Sequence, residues 1–289
     1  VDRGSLSDDW TVEPGTIDDL IADAHVRGFP ATTRLVHDWV GLGLLDHPRR
    51  RSRGAKGGSE KALWPWTQRN LFRLLVEKRP QVKEVAPLCN IPVVIWLWWG
   101  ETYVPTAQVQ RALATWATKV RGVSWRTAKR QACQVADFLD DMGAPREDRQ
   151  HLIDLVAKTG YSGQTDAAAL SEAMQEVFDP MGEGRFVGSP LMPVTAERYA
   201  HLMDTRARGL ELAKGPASIK DLQNAWPYCR WGLQSYATNR SALIDSSVRP
   251  RDTQMWEEPT WDLLGNRACA QVVLVLGGLS SHRPGGSPS

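Results

Sequence analysis

The chain has 289 residues, 42% hydrophobic and 24% charged, with a formal net charge of only +2. These values fit an ordinary globular chain of one large or two to three small domains, and they exclude a polycation, a collagen-like repeat and a disordered acidic chain. The charge is unevenly placed: residues 1–30 carry Asp2, Asp8, Asp9, Glu13, Asp18, Asp19 and Asp23, whereas residues 49–83 are strongly basic, an asymmetry that points to a surface facing a polyanion.

An acidic N-terminal extension, 1–15, precedes the first predicted helix. Thr16 with Asp19 three residues later is a capping-box start, and Ile17, Leu20, Ile21 and Ala24 recur at helical spacing. Gly28 suits the end of that helix and Pro30 the first turn of the next. In the second helix Leu35, Val36, Trp39, Val40 and Leu42 form the apolar stripe. Thr32, Thr33, Arg34 and His37 lie largely off it. The loop from His47 to Pro65 carries Arg49, Arg50, Arg51, Arg53, Lys56 and Lys61 against a single acid, Glu60. Gly54, Gly57 and Gly58 allow a tight tip, and Ala62, Leu63 and Trp64 form a returning strand. Pro65 then opens a helix with Leu71, Phe72, Leu74, Leu75 and Val76 on one face.

The stretch ATTRLVHDWVGLGLLDHPRRRSRG resembles the recognition helix and wing of MerR-like winged helix-turn-helix proteins, a group that includes regulators and phage excisionases. The shared pattern is a helix bearing Thr and Arg, an aromatic, Gly-Leu-Leu, a Pro and basic residues. The resemblance implies that Thr32, Thr33, Arg34 and His37 face the major groove or its phosphates. It implies that Arg49, Arg50, Arg51 and Arg53 belong to the wing, with Lys56 and Lys61 on the same loop. The long remainder has no sustained heptad and no cysteine cluster, so the resemblance does not extend to a metal- or drug-sensing coiled-coil regulator.

Beyond residue 80 the chain reads as almost entirely helical. Residues 81–100, punctuated by Pro87 and Pro92, read as a helix, a turn and a second helix. Helices follow from Pro105 to Arg121, from Trp125 to Met142, from Pro145 onward and from Thr165 to Phe178. The Gly- and Pro-rich stretch 181–193 reads as a linker. A helix runs from Thr195 to Lys214, and another starts at the Ser218–Asp221 capping box and runs toward Asn239 with a kink at Pro227. Residues 246–260 read as irregular, ACAQVVLVLGGL as a buried helix and 281–289 as a disordered tail. The expected fold is mainly α. It has a winged helix-turn-helix at 16–80, a helical domain at 81–180 and a C-terminal helical domain at 194–280.

The four cysteines, Cys89, Cys133, Cys229 and Cys269, lack zinc-site spacing and read as buried free thiols in a reducing compartment, so a cytoplasmic location is expected. The six histidines form no HExxH or HxH, and neither GxSxG nor a phosphate-binding GxxxxGK[ST] occurs. The adjacent acids Asp140–Asp141 and Glu257–Glu258 point in different directions on a helix, so they make no two-carboxylate site. No enzyme, metal or cofactor is expected. No membrane-spanning segment is expected either. The thirteen tryptophans read chiefly as core, with a docking surface as the sharper alternative. The expected function is sequence-specific binding of double-stranded DNA, as a transcriptional regulator. The helical body would meet a protein partner or mediate self-association. An accessory factor for site-specific recombination that holds a recombinase is the alternative, and a protein-interaction module without DNA binding is a further one.

Overall fold

The computed structural model describes residues 10–52, 59–141, 143–256 and 261–281. Residues 1–9 of the expected acidic extension and 282–289 of the expected tail lie outside the described residues. The fold is mainly helical: eleven α-helices and two short antiparallel hairpins occur among the described residues. Packing divides the chain into two units, Val1–Trp116 with Leu264–Cys269, and Ala117–Leu263 with Ala270–Ser289.

The first unit begins with α1 (Ile17–Val26), capped by the Thr16–Asp19 box, and Gly28 follows it at φ 77°. Helix α2 (Thr33–Gly41) starts at Thr32, whose hydroxyl accepts from the Leu35 amide at 3.2 Å. Strands β1 (Arg49–Ser52) and β2 (Ser59–Leu63) pair antiparallel, with Arg49 opposite Leu63, Arg51 opposite Glu60 and an irregularity between them. Trp64 then bridges back to Gly15, with the Gly15 amide donating to the Trp64 carbonyl at 3.0 Å and the Trp64 amide to the Gly15 carbonyl at 2.8 Å. Helix α3 (Trp66–Lys78) follows Pro65, and a 3₁₀ turn spans Arg79–Gln81. The core draws Leu20 and Ala24 from α1, Val36 and Trp39 from α2, and Leu71, Phe72 and Leu75 from α3, all at most 2% exposed. The Trp39 and Phe72 rings meet edge-on with centroids 5.4 Å apart.

Residues 81–100 hold one helix, α4 (Ala86–Trp99), where a helix, a turn and a second helix are expected. Pro87 falls in the first turn, where a missing N–H costs nothing. Pro92 lies inside the helix and costs about 3 kcal/mol. Burial of Leu88, Val93, Val94, Trp96 and Leu97 outweighs that, at about 1.5–3 kcal/mol for each large side chain. Helix α5 (Thr106–Arg121) has Val109, Ala112 and Leu113 inside.

In the second unit α6 (Trp125–Leu139) and α7 (Arg146–Ser162) run antiparallel. Arg149 at the start of α7 pairs with Asp137 near the end of α6, and Tyr161 at the end of α7 meets Trp125 at the start of α6. Asp140 ends α6 short of the expected Met142, and its carboxylate accepts from the Gly143 and Ala144 amides at 2.8 and 2.9 Å. Helices α8 (Ala167–Phe178) and α9 (Ala196–Ala213) complete a core that includes Leu152, Leu170, Val177, Phe178 and Ala200.

The expected linker, 181–193, holds most of a second hairpin, β3 (Val187–Ser189) and β4 (Met192–Val194). Two buried carboxylates order it. Asp179 accepts from the amides of Glu183, Gly184 and Arg185 at 2.9, 2.8 and 3.1 Å. Burial alone would raise the Asp179 carboxyl, but these amides and Gln175 outweigh it and hold it below the ordinary range. Asp252, fully buried, accepts from the Gly188 amide at 3.0 Å and from Nε and Nη2 of the Arg249 guanidinium at 2.9 and 2.6 Å. Helix α10 (Ile219–Asp245) passes through Pro227 and beyond the expected Asn239, with Ala225, Cys229 and Leu233 buried on either side of the proline. A 3₁₀ segment (Pro250–Trp256) stands in the stretch expected to be irregular, and α11 (Trp261–Ser281) contributes residues to both units.

Candidate nucleic-acid interface

Helix α2 presents two unlike faces. Val36, Trp39 and Val40 are buried, whereas Thr32, Thr33, Arg34 and His37 are exposed. His37 follows Thr33 by four residues and Arg34 by three, so these side chains share one open face. Asp38 lies beside them, 3.8 Å from the Arg34 guanidinium, with both side chains more than half exposed. Such a pair is worth roughly 0.5 kcal/mol or less, too little to withhold Arg34 from a stronger anion.

The elements around the helix are tied together, and the turn that follows it is fixed. Asp23 on α1 accepts from Arg69 Nε and Nη2 at 2.6 and 3.0 Å and from Arg73 Nε at 3.1 Å. Burial would raise the Asp23 carboxyl, but the two guanidiniums beside it outweigh that and hold it below its ordinary range. At the C-terminal end Gly43 adopts φ 76°, and a side chain there would collide with the backbone of Arg111 and Ala112 on α5. A polar network fixes the following turn. Gln108 donates to the Leu44 carbonyl at 2.9 Å, Gln68 accepts from the Asp46 amide at 2.8 Å, and Arg111 pairs with Asp46 at 3.0 Å. Trp64 Nε1 donates to the Asp46 carbonyl at 2.9 Å, so the exit of the hairpin is tied to its entry.

Arg49 and Arg50 sit on β1 with exposed side chains. Arg51 lies on β1 as well, its side chain outside the described residues, and Arg53 and Lys56 lie outside them altogether. Lys61 on β2 is exposed and donates to Asp18 Oδ2 at 2.6 Å, which ties the hairpin to α1. That hydrogen bond and the charge of Asp18 raise the Lys61 ammonium above its ordinary value, so it stays a cation. The structure therefore brings Thr32, Thr33, Arg34 and His37 together, and Arg49, Arg50 and Lys61 onto the hairpin that follows them in sequence.

Sequence reasoning missed the Asp23–Arg69–Arg73 clamp. Its local trace is a pair of arginines at i and i+4 on α3, with an acid on α1 between the buried Leu20 and Ala24. It also passed over Arg79 and Lys83, exposed residues lining an open cleft of about 400 Å³ with Phe29 and Pro30 just before α2.

All four cysteines are free thiols, with Cys89, Cys229 and Cys269 buried and Cys133 half-buried. Among the described residues no three His, Cys, Asp or Glu side chains are grouped to hold a metal ion, and no helix is long and apolar enough to cross a membrane. Comparison of the chain with protein-family models, with curated proteins and with solved structures found no match.

Proposed function

We propose that the chain binds double-stranded DNA sequence-specifically through a MerR-like winged helix-turn-helix formed by α1, α2 and the β1–β2 hairpin, and regulates transcription at the site it occupies. The observation that carries this reading is the open face of α2. Two threonines, an arginine and a histidine stand exposed on a helix whose opposite side is locked into a core, followed directly by a hairpin with exposed arginines. A rigid helix with short polar side chains and one arginine can read base edges in the major groove. Arginines on a hairpin suit phosphates or a minor groove. The helical body would meet a protein partner or a second copy, and among the described residues Trp231 and Tyr228 on α10 are the most exposed aromatics there, at 71% and 58%.

The test is selection of duplexes from a random pool by the whole protein, followed by titration of the selected site at several salt concentrations. Arg34→Ala is expected to cost about 1–3 kcal/mol and to relax discrimination at one position. Arg49→Ala with Arg50→Ala should leave discrimination intact and flatten the slope of log K against log salt by about 0.9 for each phosphate that is no longer neutralised. An unenriched pool, or variants that bind as the parent does, would overturn the reading.

A further inference from the structure

The chain holds six cations and no acid between Glu101 and Asp137. Part of that run becomes the outer side of α6. Ala128, Ala132 and Ala136 face the core, while Arg126, Lys129 and Arg130 stand exposed one turn apart. Lys129 lies 3.7 Å from Asp154 on α7, a half-exposed pair. Arg126 and Arg130 make no ion pair or hydrogen bond among the described residues. Beside them Trp125 and Tyr161 pack edge to face, centroids 5.7 Å apart, and remain 44% and 54% exposed.

We propose that this α6–α7 face is a binding surface for single-stranded nucleic acid. Both rings are about half exposed, and every base has a π-face that can stack on an exposed ring. Arg126 follows Trp125 in sequence and Arg130 stands one turn further along the same helix, so a strand stacked on Trp125 meets guanidiniums of α6 along its course, and a guanidinium meets phosphate with two parallel donors. A duplex fits less well because its bases are already stacked. An anionic membrane also fits less well. The outward residues beyond the cations are Gln131, Gln134 and Asp137, so α6 has no broad apolar face to bury among acyl chains. The surface is built from residues other than those of α2 and the β1–β2 hairpin, and it stands whether or not that part of the chain binds duplex DNA.

The experiment uses the full chain and a fluorescein-labelled oligo(dT) of about 20 nucleotides, long enough to span several stacking positions, read by anisotropy over a series of salt concentrations. The intact protein is expected to bind. Trp125→Ala should weaken binding about tenfold and Trp125→Phe should keep most of it. Arg126→Ala with Arg130→Ala should lower the slope of log K against log salt by about 0.7 for each phosphate that is no longer neutralised. Arg34→Ala and Arg49→Ala should change nothing, which separates this surface from the duplex-reading one. The proposal is overturned if the intact chain fails to bind the oligonucleotide. Undiminished binding by the Trp125→Ala, Arg126→Ala, Arg130→Ala triple variant overturns it too, as does binding to phosphatidylserine vesicles in place of the oligonucleotide. If Trp125→Ala unfolds, the phenylalanine and arginine variants carry the test, since their side chains change only at the surface.

Discussion

Replacing Asp23 by asparagine keeps the shape of the side chain and removes the charge that Arg69 and Arg73 share. The two guanidinium side chains are only 16% and 14% exposed, so each loses the carboxylate they share in a poorly hydrated place. A cost of about 3 kcal/mol is expected from breaking one side of such a pair. Because the native Asp23 carboxyl lies below its ordinary value of 3.8, the unfolded chain takes up the proton first as pH falls. The stabilisation is therefore complete above about pH 5 and is lost as pH drops through 3.8 toward the depressed native value. Urea midpoints of the parent and Asp23→Asn measured from neutral pH downward should differ by a constant amount and then converge in that acid window. A gap that persists at the lowest pH would mean that the loss comes from geometry and not from charge. Asp179, also depressed, titrates in both proteins and cancels in the difference. Legibility at this scale follows sequence separation. The Thr16–Asp19 and Ser218–Asp221 capping boxes are readable because their partners lie three residues apart. The Asp23–Arg69 pair spans 46 residues, and its local trace, two arginines four residues apart, does not name the acid that joins them.

At the scale of elements, two close helix approaches depend on the absence of a side chain. Gly43 combines φ 76° with the backbone of α5 at the position a Cβ would occupy. Gly209 on α9 and Gly277 on α11 meet the backbone of the opposite helix in the same way, at Val273 and Thr205. Alanine at any of the three forces backbone apart, with a cost of about 3 kcal/mol or more. Gly28 is the control: its φ is 77° with open space around it, so Gly28→Ala should cost only the conformational strain of about 1–2 kcal/mol. Thermal midpoints of the four variants should separate the three crowded glycines from the open turn, and equal shifts would refute the packing account. Most helices are readable because their apolar spacing and caps are local. The sequence misleads where a turn-forming residue is overruled. Pro92 sits inside α4 because the buried side chains around it are worth more than one missing hydrogen bond. The glycines and prolines of 181–193 read as a linker until Asp179 and Asp252 supply acceptors for the backbone of that stretch. The open face of α2 is readable for the opposite reason, since its buried and exposed positions alternate at helical spacing within nine residues.

For the whole molecule, the end of the chain matters to its beginning. Residues Leu264–Cys269 of α11 belong to the unit that contains α1 to α4, and Ala268 and Cys269 are at most 1% exposed. Cys89 on α4 lies near enough to Cys269 to add to the rise of its thiol. Burial raises the Cys89 and Cys229 thiols to about 12 and pushes Cys269 well above its ordinary value, so none of the three supplies thiolate near pH 8. Only Cys133 is partly open. An aromatic disulfide reagent at pH 8 should therefore titrate one thiol quickly in the native chain, none in Cys133→Ser, and all four after unfolding. A chain ending at Leu263 lacks the α11 residues that pack in the first unit. Its Cys89 should then join the fast class, accompanied by a lower unfolding midpoint. If α2 and the hairpin bind duplex DNA as proposed, the same truncation should weaken that binding, since it removes the α11 residues that belong to their unit. If Cys89 stays protected in the shortened chain, the first unit is complete without α11, and residues 10–116 form an independently folded reader.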